Sequence, residues 1–173
     1  MADQPLITKT TGLGLAAAAG ALALDQFTKF LLLQGLGLAA MAEGGSYRIT
    51  PFFNIVMAWN QGVSFGLFPV DSAWGRAVLV TFSLAIVGAL AAWLYRVADR
   101  LVAMGVGLII GGALGNVVDR LRFGAVADFF DFHAFGYHWY VFNVADAAIV
   151  IGVGLLLFES LFRDARANSK MTE

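Results

Sequence analysis

No cysteine occurs among the 173 residues, which removes disulfides, thiolate nucleophiles and thiolate metal sites from consideration. Charge is scarce as well: 13% of residues are charged against 60% hydrophobic, a balance that a soluble domain of this size does not easily sustain. The formal net charge is -1 and basic residues form only short clusters, so nothing supports a nucleic-acid partner. Internal repeats are lacking, and the one low-complexity stretch is alanine-rich and lies in the first apolar run. A chain so poor in charge belongs in a membrane.

What is abundant is apolar sequence in runs of membrane length. Residues 12–33, 74–95, 101–121 and 140–162 each approach the roughly 20 residues that a helix needs to cross the hydrocarbon core. The expected fold is an all-α polytopic membrane protein, one domain over residues 1–173, with four transmembrane helices. Lys9, Arg96, Arg100, Arg163, Arg166 and Lys170 flank the ends that would share one side, so the positive-inside rule places both termini in the cytoplasm. Trp74, Tyr137, Trp139 and Tyr140 then fall at the outer interface, and Trp93 and Tyr95 at the inner one. The first run resembles a cleavable signal peptide ending near Ala42, but it is too long and Asp25, Gln26, Thr28 and Lys29 interrupt it. The tail over 164–173 is polar and expected to be disordered.

Between the first two helices, residues 47–49 and 52–59 are rich in aromatic and branched side chains and flank Thr50-Pro51, which predicts a small extracytoplasmic β-hairpin. Asn60-Gln-Gly-Val-Ser-Phe-Gly66 and Phe68-Pro69 follow, apolar enough to lie on the membrane surface and cover a site there. The second helix carries no charge between Arg76 and Arg96 and is expected to be scaffold.

The remaining polar residues are few and grouped. Asp25 and Lys29 stand four apart on one helical face, where they can pair and pin the first helix to its neighbours. Gly107, Gly111 and Gly115 recur at the small-residue spacing that lets membrane helices approach closely. Gly112, Asn116 and Arg120 run beside them, with Asp119 adjacent. Asn116 would lie about 8 Å below the outer end of its helix, and Asp146 about 9 Å inside a helix starting at Tyr140, at 1.5 Å per residue. Asn143 shares that depth. Asp128, set among apolar residues after the third helix, can return to meet Asp146, whereas Asp131 is expected to be solvated.

Two carboxyls within hydrogen-bonding distance in a poorly solvated site share one proton near neutral pH, the state that water activation by an acid pair requires. Other chemistries are less well supplied. Ser64 has no evident histidine or lysine partner, and His133 and His138 match no standard metal-ligand spacing, so no metal or other cofactor is expected. A proton or ion path through Asp25, Asp119 and Asp146 is the alternative; it would have to continue inward, where only Glu159 is found near Arg163.

Five of these segments, in this order, resemble the bacterial lipoprotein signal peptidase family, signal peptidase II: Asp25-Gln-Phe-Thr-Lys29, Asn60 to Gly66, Gly111 to Arg120, Val126-Ala-Asp-Phe-Phe-Asp-Phe132, and Phe142-Asn-Val-Ala-Asp146. The resemblance implies an aspartic endopeptidase of the bacterial inner membrane, with its site near the periplasmic face. It would cut the signal peptide from diacylglyceryl-modified prolipoproteins just before the lipidated cysteine, and the cyclic peptide globomycin would inhibit it. Asp128 and Asp146 would be catalytic; Asn60, Gly62, Asn116, Arg120 and Asn143 would support them or hold substrate; Asp25, Lys29 and Asp119 would be structural. Membrane lipids are the other implied partner. Ser64 stands where the family more often has alanine.

Overall fold

The computed structural model describes residues 8–41, 45–62 and 73–169. Four helices account for most of them: α1, Lys9–Phe30; α2, Ala73–Leu94; α3, Arg100–Phe123; and α4, Val144–Ser169. All four are long and apolar enough to cross a membrane. Their outer faces carry Leu24, Phe27, Phe82, Ile151, Leu157 and Leu161, each more than half exposed and so available to lipid.

α3 is the central helix and packs against each of the others. Its glycines explain the closeness. A Cβ at Gly107 or Gly111 would collide with the backbone oxygens of Gly14 and Ala18, so the Gly107–Gly111–Gly115 stripe seats α1. A Cβ at Gly112 would strike the Ala145 carbonyl, and Gly105 meets Gly152, so the neighbouring face seats α4. The stripe thus belongs chiefly to the α1 contact, with Gly115 touching both Asp25 and Ala145.

α1 ends in a π-helical turn, Leu31–Gly35, and a 3-10 turn, Leu38–Ala40, before the sheet begins. Strands β1, Ser46–Thr50, and β2, Phe53–Asn60, form the expected hairpin. The sheet is larger than expected, because residues 126–134 form a third strand, β3, antiparallel to β2, and Tyr137–His138 a short fourth, β4. Two aspartates among the phenylalanines obscured the strand in the sequence. Pairing with β2 satisfies its backbone, while Phe129 and Ala127 join Leu32, Leu33, Leu38 and Met57 in a buried cluster beneath the sheet.

The same pairing corrects the start of the fourth helix. Phe142 bridges to Phe130, which holds its backbone extended, and α4 begins at Val144 rather than Tyr140. At the other end the helix continues to Ser169, so residues 164–169 are helical rather than disordered, and 170–173 lie outside the described residues. So do residues 63–72, which include Ser64 and Phe68-Pro69.

Candidate active site

The site forms where the sheet meets the starts and ends of three helices. Gly124, at φ +83°, turns the chain from α3 into β3. Asp128 then sits in β3 opposite Ala58, with Asn60 diagonal to it on the same face. Asn60 Nδ2 donates to Asp128 Oδ2 at 3.0 Å, and Asn143 Nδ2 donates to Asp128 Oδ1 at 2.6 Å.

Asp146 occupies the first turn of α4 rather than a position about 9 Å inside a helix that starts at Tyr140. Asn143 caps that helix: its Oδ1 accepts from Asp146 N at 3.0 Å, and its own N donates to Asp146 Oδ2 at 3.2 Å. This reciprocal box satisfies amides that a helix start leaves free, and it places a carboxylate where the helix dipole favours one. Asn116 Nδ2 donates to Asp146 Oδ1 at 2.9 Å, and Asn116 Oδ1 accepts from Asn143 Nδ2 at 3.2 Å. Asn143, fully buried, therefore touches both acids.

Burial dominates the titration of Asp128, which is 2% exposed, and pushes its carboxyl up to about 6. The hydrogen bonds from Asn60 and Asn143 act against that rise, and the charge of Asp146 adds to it. Arg120 lies within electrostatic reach of Asp146, Asp128 and Asp119, with one guanidinium nitrogen 3.4 Å from Asn116 O. Gly62, at φ +79°, closes the near side; a Cβ there would come within 3.0 Å of the Arg120 guanidinium, and its N donates to Asn60 Oδ1 at 2.8 Å. Asn60, Gly62, Asn116, Arg120, Asp128, Asn143 and Asp146 thus converge.

Asp25, Lys29 and Asp119 form a separate buried cluster behind the two acids. Lys29 Nζ lies 2.8 Å from Asp25 Oδ2 and 2.7 Å from Asp119 Oδ2. Gln26, unnoticed as a participant although it interrupts the same apolar run, donates to Asp25 Oδ2 and Asp119 Oδ1, both at 3.1 Å.

Asp131 is not solvated. It is 3% exposed, accepts from Asn54 at 2.9 Å across the β2–β3 pair and meets His138 Nδ1 at 2.9 Å. Burial acts to raise its carboxyl, but these partners outweigh it and hold the group below the usual range. His133 stacks on His138 with centroids 4.9 Å apart. Among the described residues no three histidines or acids gather as a metal site would need.

Residues 17–162 match the family described as signal peptidase (SPase) II. The chain belongs to that family. A protein of Methylobacterium sp. (strain 4-46) named lipoprotein signal peptidase is 48% identical over 97% of this chain and 97% of its own length. Another of that name, from Methylorubrum extorquens (strain PA1), is 49% identical over 90% of each chain. A bacterial membrane enzyme solved by the in meso method at 2.3 Å superposes with a TM-score of 0.72 at 29% identity, covering 89% of this chain and 90% of the other. Signal peptidase II homologues are peptidases, and the two polar clusters must be understood in an enzyme of that kind.

Proposed function

We propose that this signal peptidase II homologue is an aspartic endopeptidase. It removes the signal peptide from diacylglyceryl-modified prolipoproteins, cutting N-terminal to the lipidated cysteine, with Asp128 and Asp146 as the catalytic acids. The observation that carries this reading is the bridge: two carboxyls from different elements, β3 and α4, are both bound by Asn143 at the end of a membrane-length helix bundle.

The chemistry follows from an acid pair holding one proton. A water placed between the carboxyls gives a proton to Asp146 as its oxygen attacks the scissile carbonyl carbon. Asp128, whose burial favours the protonated form, donates to the carbonyl oxygen as charge develops there. The tetrahedral species collapses with cleavage of the C–N bond, and the proton on Asp146 passes to the leaving nitrogen. No acyl-enzyme forms. Asn60 and Asn116 orient the acids, while Arg120 supplies fixed positive charge and donors for substrate carbonyls beside them.

Location suits such a substrate. In a bacterial inner membrane with both termini cytoplasmic, the sheet and the acids would face the periplasm, where the acyl chains of a lipoprotein precursor lie in the outer leaflet and water has access. Trp74, Tyr137, Trp139 and Tyr140, all strongly exposed, then stand at the outer interface, and Trp93 and Tyr95 at the inner one. Globomycin, a cyclic peptide, would compete for the same cleft.

The test uses purified enzyme in lipid-detergent micelles with a diacylglyceryl-modified substrate. Asp128→Asn and Asp146→Asn each lose cleavage while retaining a folded elution profile; near-normal cleavage by either sinks the acid pair. Mass spectrometry of the product identifies the bond cut, and globomycin blocks the reaction.

A further inference from the structure

The cluster of Asp25, Lys29 and Asp119 is buried more completely than the acid pair it adjoins: the two aspartates have no exposed surface and the lysine is 2% exposed. Pairing a lysine with an aspartate one turn away on α1 would already tie charge to charge. The second aspartate and the direction of the remaining oxygens need another reason. Asp119 Oδ2 accepts from the backbone N of Ala127 at 3.1 Å, and Asp25 Oδ1 accepts from the backbone N of Ala145 at 3.0 Å. Ala127 immediately precedes Asp128, and Ala145 immediately precedes Asp146. Each carboxylate of the cluster therefore holds the amide one residue before one of the two acids.

We infer that Asp25, Lys29 and Asp119 form a positioning frame that sets the separation of Asp128 and Asp146, an inference that rests on those two being the reacting pair. Lys29 draws the two frame carboxylates together across the α1–α3 contact, and Gln26 joins both of them and the Gly115 carbonyl. Each held amide is one Cα step, about 3.8 Å, from the residue it positions. Alanine at both places keeps the approach short; Ala127 and Ala145 are fully buried. Gly115 is part of the device, since a Cβ there would occupy the place of the Asp25 carboxylate. Ala145 N is also one of the amides that the start of α4 leaves without an intrahelical partner, so Asp25 completes from another helix the cap that Asn143 begins.

The frame also bears on charge. The charged groups that reach it are Arg120 on α3, which feels Asp119, and Asp128 on β3, which feels Lys29, besides its own members on α1 and α3. The charge of Lys29 reaches Asp128 and favours its ionised form.

The test compares Lys29→Met, Asp119→Leu and Asp119→Asn with the parent enzyme, measuring kcat, KM and the pH profile on a lipidated peptide, normalised to folded protein. Lys29→Met keeps the aliphatic length of the side chain but removes the ammonium that ties Asp25 to Asp119, so the frame loosens. Its kcat falls about 10- to 100-fold with KM within about twofold, as a misplacement of the reacting groups predicts, and the alkaline limb of its profile, where Asp128 loses its proton, moves to higher pH. Asp119→Leu loses at least as much, and Asp119→Asn, which keeps an acceptor for Ala127 N, recovers most of it. Lys29→Met and Asp119→Asn decide the matter even where Asp119→Leu does not fold. Parental kcat and pH profile in folded Lys29→Met, with only a lower melting midpoint, overturns the frame. Asp128→Asn assayed in parallel separates the two readings: activity there removes the acid pair itself, whereas its inactivity beside fully active frame variants removes only the frame.

Discussion

Replacement of Asp128 by asparagine separates the energetic from the catalytic consequences of burying an acid. The carboxyl rises from 3.8 to about 6 on folding, a shift of about 2 units, and at about 1.4 kcal/mol per unit this is about 3 kcal/mol of pH-dependent free energy. The sign is that of a raised acid. Below the unfolded value both states hold the proton and nothing is lost; as pH rises from about 4 to 6 the unfolded chain ionises while the folded protein retains its proton, and stability falls; above 6 the full cost is present. Asp128→Asn cannot ionise and escapes this loss. It has its own penalty, since an amide group would face the Asn60 or Asn143 side-chain donor and leave it unpaired, at about 1 to 3 kcal/mol. That penalty does not vary with pH. Equilibrium unfolding in mixed micelles across about pH 4 to 8 should therefore show the stability difference, variant minus parent, rising by up to about 3 kcal/mol between the acid end and pH 6, then levelling. Cleavage by the variant is abolished at every pH. A stability difference that stays flat across the range refutes the burial argument, whatever happens to activity.

Other perturbations test neighbouring parts of the same structure. Asn143→Ala removes the side-chain donor to Asp128 and the Oδ1 acceptor that caps the start of α4; activity is lost and the melting midpoint drops by the equivalent of about 1 to 2 kcal/mol, measured by differential scanning fluorimetry. Gly111→Ala drives a methyl into the Ala18 backbone, and destabilisation of about 1 to 3 kcal/mol is expected, whereas Gly88→Ala, which meets nothing, has little effect in the same assay. Gly62→Ala is strained twice, by its positive φ and by Leu79 and Arg120, so kcat/KM should fall at unchanged expression. Prolonged treatment with a strong chelator should leave the cleavage rate unaltered; inhibition reversed by added metal would overturn a two-acid mechanism.

Much of this protein is legible before any coordinates. Four apolar runs of bilayer length dictate four helices, because a backbone in hydrocarbon must satisfy its own polar groups. Glycine at four-residue spacing marks where α3 is approached closely, and aspartates, asparagines and an arginine in an otherwise apolar chain mark the site, because such groups are costly at membrane depth without partners. The motifs that resemble signal peptidase II lie on those same residues.

What the sequence could not supply is the set of contacts closed between distant segments. β3 is a strand because β2 pairs with it, and local pattern alone did not distinguish it from a loop. That pairing, through Phe142, also decides that α4 starts at Val144, which turns Asp146 from a carboxyl about 9 Å inside a helix into one held in a capping box at its first turn. The depth counted along the chain was therefore wrong for Asp146 even though the residue was the right one to single out. Asp119 and Asp25 lie far from Ala127 and Ala145 in connectivity or in element, and only the packing of α1, α3, β3 and α4 turns them towards those amides. Composition and periodicity report what each segment can bury; which buried donor meets which acceptor is decided when the segments pack.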